Sequence, residues 1–240
     1  MSAALVVPEV TWTWAWVPTG DVEGTQLRDW LTATAEQLAA WTDGPDVASL
    51  PPEVRADAQA EMTPPAIGRA TALWLWDRAV ECPEGVRLVW GAGFLGDAER
   101  PLWAPVPVTV EFREPAADDP TYLLQTVGAT GLDEDARPPV VDYVTTVAGD
   151  GVRVSALVHG ARGEATCRVD AALRADVPAY GDRPESRVDV VLSTRTPDLG
   201  LGGVLGEGVA DLLHELATLL LPGQDGEPGI VLPVDEGRVP

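Results

Sequence analysis

Apolar and polar positions alternate with the two-residue period of a strand over much of the chain after residue 86, and recur with the period of a helix near its two ends. The clearest stretch is 188–221. Val188, Val190 and Leu192 alternate with Asp189 and Ser193, the pattern of a half-buried strand. A glycine-rich run follows, Gly200-Leu-Gly202-Gly203-Val-Leu-Gly206-Glu-Gly208, which reads as a loop. An amphipathic helix comes next. Leu205, Val209, Leu212, Leu213, Leu216 and Leu220 share one face, and Glu207, Asp211, His214, Glu215 and Thr218 share the other. Such a helix has to bury its leucine stripe, and the preceding strands are the surface available to it.

Nearer the start, Val10, Trp12, Trp14 and Trp16 fall on one side of a strand that Pro18 and Gly20 end. A helix beginning at Asp21 or Thr25 would place Leu27, Trp30, Leu31, Thr34, Leu38 and Trp41 on one face. Ser49 to Met62 reads as a second, surface helix behind Pro51 and Pro52. The segment Ala66 to Glu81 is ambiguous between strand and helix. Its aromatic and leucine content, followed by a turn and Val86 to Phe94, favours a hairpin. Strands continue over Val106–Phe112, Tyr122–Thr126, and the pair Val140–Val147 and Val152–Val158. Between that pair, Asp150-Gly151 marks a tight turn. In the next strand Cys167, Val169, Ala171 and Leu173 point inward, and Arg168, Asp170 and Arg174 point outward. The intervening loops, including Gly131 to Pro139, are acidic or rich in proline and read as solubilising surface.

These patterns predict an α+β fold. It has a mostly antiparallel sheet of about seven to nine strands, with N-terminal helices and a C-terminal helix packed on one face. The tryptophan strand needs the downstream sheet, so residues 1–221 are expected to form one domain, with 222–240 as a proline-, glycine- and acid-rich tail.

Composition narrows the functional classes. The 240-residue chain has 38 acidic and 16 basic side chains, for a net charge of −22. Nucleic-acid binding requires a basic surface that displaces counterions from phosphates, and the scattered arginines offer none. Anionic membrane surfaces are disfavoured for the same reason, and no apolar run approaches the roughly 20 residues of a membrane span. The N-terminal stretch lacks a basic start and carries Glu9, so it reads poorly as a signal peptide. All basic residues are arginine, and lysine and asparagine are absent, a signature of GC-rich coding. Schiff-base and P-loop lysines are thereby excluded. Cys82 and Cys167 form neither a disulfide framework nor a zinc set, and a cytoplasmic, reduced chain is expected.

Candidate chemistry is sparse. Gly202, Gly203 and Gly206 are the candidate ligand-binding residues, because a glycine turn ahead of a helix N-terminus can hold an anion. Their spacing departs from the dinucleotide motif, and Glu207 would oppose a phosphate. Asp211-x-x-His214 has the spacing of a bundle metal site but no second copy, and His214 lacks the second histidine of a zinc-protease helix. No G-x-S-x-G presents a nucleophile. The acidic runs Asp118-Asp119 and Asp133-Glu134-Asp135 lack the spacing of a calcium loop. Ile230, Val231 and Leu232 form an apolar patch in the tail and are the candidate partner-binding residues. The expectation is a non-catalytic cytoplasmic protein that binds another protein or itself and needs no cofactor or metal. The alternatives are a small-ligand binder or enzyme with a cleft beside Gly200–Gly208, and an acidic inhibitor or decoy of a basic partner.

Overall fold

The computed structural model describes residues 9–20, 22, 24–42, 61–102, 105–116, 119, 121–160, 163–181, 184–223 and 228–230. Its centre is a seven-stranded sheet built from β1 (Val10–Trp16), β2 (Val86–Leu95), β3 (Val106–Arg113), β4 (Val140–Thr146), β5 (Gly149–His159), β6 (Ala165–Val177) and β7 (Ser186–Thr196). The spatial order is β1-β2-β3-β7-β6-β5-β4, and every neighbouring pair is antiparallel. Four helices are described: α1 (Gly24–Trp41), α2 (Pro64–Val80), α3 (Thr121–Thr126) and α4 (Leu199–Leu219). The expected helix at 49–62 lies almost wholly outside the described residues.

The leucine stripe of α4 is buried, as its periodicity requires: Leu205, Leu212, Leu213, Leu216 and Leu220 are all at most 2 % exposed. The helix touches both edge strands, β1 and β4, as well as β5, β6 and β7, so the sheet curls around it. The helices do not share one face, contrary to the sequence-based expectation. Val89 of β2 packs with α4, whereas its neighbours Leu88 and Trp90 pack with Leu38 of α1 and Leu75 of α2. Leu123 of α3 and the following Val127 cover Val152, Val154 and Ala172, also on the face away from α4. A strand alternates its side chains, so two apolar sets on adjacent residues demand a cover on each side.

Close approach on the α4 face depends on glycine. A methyl group on Gly208 would lie 2.4 Å from the Trp12 indole, and one on Gly202 would lie 2.2 Å from Cys167 Sγ. Across the β1–β2 ladder, Trp12 faces Gly93 and Trp14 faces Gly91. The two indoles stack at 5.3 Å, only 9° from parallel, with the Trp14 ring over the place a Gly91 side chain would need. The tryptophan face of β1 is therefore largely core, with Trp12 8 % exposed.

Three local expectations change. Ala66–Glu81 is helical: Pro64 and Pro65 sit in the first turn of α2. The buried stripe of α2 is Gly68, Ala72, Leu75 and Ala79, while Leu73 and Trp74 are exposed. Leu75 is thus the one large residue of a stripe otherwise made of glycine and alanine. Gly68 comes so near α1 that a side chain there would meet the Ala35 carbonyl at 2.3 Å. Tyr122–Thr126 is the short helix α3 rather than a strand. The β4–β5 turn falls at Val147-Ala148, with Asp150 and Gly151 already inside β5. Thr146 Oγ1 closes that turn, donating to the Gly149 carbonyl at 2.8 Å and accepting from the Ala148 N–H at 3.2 Å. Gly149 supplies the φ of +150°.

The glycines of α4 give a paired prediction. In a helix interior, Gly→Ala is favourable by about 0.5–1 kcal/mol. Gly203 has open space around it, so Gly203→Ala should raise the urea midpoint. Gly208→Ala should lower it, because overpacking against Trp12 costs about 1–3 kcal/mol and outweighs the propensity gain. Equal effects of the two substitutions would contradict this account of how α4 sits on the sheet.

Candidate functional site

The stretch Gly200–Gly208 belongs to α4 and is not a loop. Asp198 caps the helix: its Oδ1 accepts from the N–H groups of Gly200 and Leu201 at 2.8 and 3.1 Å. The helix N-terminus is thereby supplied with a carboxylate of its own. The structure does not gather the three candidate glycines around one point. Gly202 abuts Cys167, Gly206 lies beside Ser155 and Arg153, and Gly203 faces open space. Gly202 and Gly206 bring the helix close to the sheet.

The polar face of α4 is exposed at Glu207, Asp211, His214, Glu215 and Thr218. Glu207 meets Arg153 at 3.0 Å, and the same guanidinium meets Asp142 at 2.8 Å, tying α4 to β5 and β4. His214 places Nδ1 2.8 Å from the Ala210 carbonyl and Nε2 3.2 Å from the Thr145 carbonyl of β4. Partial burial raises the Asp211 carboxyl, with Glu207 adding to the effect and His214 opposing it. Burial likewise raises Glu215. Among the described residues, no group of three or more His, Cys, Asp or Glu side chains is arranged to hold a metal. Cys82 and Cys167 are free thiols, both raised chiefly by burial.

A buried charge cluster lies on the opposite face, where the sequence pattern points Arg168, Asp170 and Arg174 toward solvent. They do turn away from α4, but α3 and the segment 127–139 roof that face. Arg168 is 1 % exposed. It donates to the Val127 carbonyl at 3.1 Å, to Asp135 at 3.1 Å and to Asp170. Ser193 donates to Asp170 at 2.5 Å, and Asp135 also accepts from the Leu132 N–H at 2.8 Å. Arg174 makes a two-pronged pair with Asp189, which is 0 % exposed. Glu134 pairs with Arg195. Glu134 and Asp135 thus clamp this segment onto the sheet, while Asp133 stays exposed. Composition alone could not reveal this, since the partners stand more than 30 residues away in the sequence. Arginine and carboxylates together can bind or polarise an anion, but a guanidinium so buried is closed to substrate, and the cluster holds the fold.

Two places among the described residues stand out as open. One is a cleft of about 490 Å³ where the sheet continues past the end of α4. Trp16, Phe112 and Val22 line it, with Ile230 on one wall and Arg87 and Gln26 on the polar side. Ile230, one of the three tail candidates, is turned inward. Its N–H donates to the Leu219 carbonyl at 2.9 Å and its side chain packs against the α4 core. Val231 and Leu232 lie outside the described residues. The other place is the outer side of β4, where no strand among the described residues pairs. Val140, Tyr143 and Val147 are exposed there, Tyr143 by 78 %.

No family model, curated protein or solved structure matches the chain. No described helix is long and apolar enough to cross a membrane.

Two outcomes test the electrostatic reading. Arg168→Met leaves Asp135 and Asp170 buried without their cation and should cost about 3–5 kcal/mol in denaturant unfolding. Adding Asp135→Asn should recover part of that loss, because the two residues act as one unit. Raised carboxyls bind protons more tightly in the folded state than in the unfolded chain. Their favourable contribution is present at acid pH and is lost as pH rises through the folded-state value. Asp211→Asn/Glu215→Gln should therefore melt higher than the parent at pH 7, and the gap should close as pH falls below about 4. A gap that widens toward acid pH would contradict it.

Proposed function

We propose that the chain is a non-catalytic binding protein that works through protein contacts and offers β4 as its docking strand. The open outer side of β4 carries this reading. A bare strand edge is a template for an added strand, and natural sheets blunt such edges with lysine, proline or outward charge. β4 has none of these. The sole charged residue in Val140–Thr146 is Asp142, which is turned onto Arg153. The other edge, β1, exposes only Thr11, Thr13 and Ala15, which give a partner little to grip. On β4 an extended segment would gain backbone hydrogen bonds from the edge, and Tyr143 and Val140 would supply side-chain contacts. His214 on the Thr145 carbonyl ties one end of the strand to α4. The contact of Arg153 with β4 and α4 adds a second tie, so the edge is held in place before a partner arrives.

The partner is read as protein, not nucleic acid, since 38 acidic against 16 basic residues repel a phosphate backbone. A cytoplasmic setting belongs to the same reading and agrees with the two free thiols.

Selection of extended peptides from a displayed library on the full chain tests the proposal. Selected peptides should protect the 140–146 amides from hydrogen exchange. They should lose about tenfold or more in affinity for Tyr143→Lys, with the melting temperature of that variant unchanged. Peptides that bind Tyr143→Lys equally well, or leave those amides unprotected, refute the β4 reading. Binding by basic peptides alone, collapsing with salt, would support an acidic decoy instead.

A further inference from the structure

We infer that the cleft at the far side of the sheet from β4 is a binding site for a small amphipathic anion, with an apolar body and one carboxylate or comparable acidic group.

The site arises from a mismatch of lengths. α4 ends at Leu219, and the chain turns back so that the Ile230 N–H meets the Leu219 carbonyl. The sheet beneath runs on. The Val17 N–H continues the β1–β2 ladder by donating to the Leu88 carbonyl at 2.9 Å, and β3 extends to Arg113. Side chains that would have met another turn of α4 therefore line a hollow. Trp16, directly opposite Val89, and Phe112 supply its apolar floor, both also touching the α4 core. Val22 and Ile230 close it from the β1–α1 connection and the tail. A volume of about 490 Å³ falls within the range of small-molecule sites, roughly 300–1,000 Å³.

Arg87 gives the hollow its chemical preference. It lies two residues before Val89 on β2 and so shares the α4 face, and it lines the cleft. Seven of the described arginines pair with carboxylates, Arg78, Arg113, Arg153, Arg168, Arg174, Arg187 and Arg195. Arg28, Arg69 and Arg137 show no such pair among the described residues, and of the arginines only Arg87 lines the cleft. Arg87 has no hydrogen-bond or ion-pair partner among the described residues, in a chain whose acids outnumber its bases 38 to 16. Among the described residues no carboxylate takes up this guanidinium, and its planar donor fork, in a cleft also lined by an indole and a phenyl ring, suits an incoming anion. Gln26 adds an amide to the lining. A cationic ligand would meet like charge at this point, and a wholly apolar one would leave the guanidinium unused.

Calorimetric titration of the full chain at about 0.15 M salt with decanoate, decanol and decyltrimethylammonium, all below micelle formation, tests the site. Decanoate should saturate at one per chain and bind at least about tenfold more tightly than decanol. Decyltrimethylammonium should bind more weakly than decanoate. Arg87→Gln, at an exposed position, should retain the parent melting temperature and reduce decanoate to the level of decanol. Val22→Trp, which fills the hollow, should abolish decanoate binding. The inference is overturned if decanoate does not bind, binds Arg87→Gln or Val22→Trp as well as the parent, or binds more weakly than the cation. None of these outcomes depends on β4.

Discussion

The contact between α4 and the sheet is the constraint on which the rest of the molecule depends. A helix that touches both edges of a seven-stranded sheet has to lie deep in its curve, and side chains set how deep it can go. At Gly202 and Gly208 there is none, so Cys167 and the Trp12 indole occupy the space. Trp12 in turn lies over Gly93 of β2. The large side chain on one element and the absent one on the next are two halves of one packing solution. Glycine inside a helix is costly in backbone entropy, and here that cost secures a dry, close seam along the longest helix described.

The opposite face solves a different problem. Polar residues alternating with a buried row have to reach water or partners. On β6 and β7 they reach Asp135, Val127 and one another under a lid formed by residues 127–139. Among the described residues, the Arg168 Nε and the Nε1 atoms of Trp12, Trp14, Trp76 and Trp90 are buried without a hydrogen-bond partner. The exposed charges of α4 do lighter work, with Arg153 joining three elements through Asp142 and Glu207.

What the sequence revealed follows the range of the interactions involved. The leucine stripe of α4 and the strand alternation of β3, β6 and β7 were legible because periodicity is local and each side chain needs only one cover. The glycine run misled because its composition is that of a loop, while the decision between loop and helix rests on Cys167 and Trp12, far away in the chain. Ala66–Glu81 misled for the converse reason: its large residues signal a buried strand, yet Leu73 and Trp74 are exposed and the inward stripe is Gly68, Ala72, Leu75 and Ala79. The lid over Arg168 was invisible, since nothing in Asp133-Glu134-Asp135 distinguishes a clamp from a solvated loop. The two open places are no more legible. The cleft exists because one helix stops before the sheet does, and Arg87 matters by lining it without a partner among the described residues. Ile230 was singled out for its apolar character, which is real, but it is spent inside the molecule.

The sheet order carries a consequence for how the chain is made. β1–β3 and β4–β7 are each sequential meanders, and the only seam between them is the β3–β7 ladder, where Thr109 and Ser193 meet across 84 residues of chain. α4 comes last in sequence among the described elements and is the piece that spans both halves. During synthesis, the tryptophans of β1 and the valines of β3 emerge long before the strand and helix that cover them. The two halves can assemble in order of appearance, but their union waits for β7 and α4. A fold closed by its last helix carries a long interval in which apolar surface is uncovered, and a strongly acidic chain spends that interval repelling its own copies.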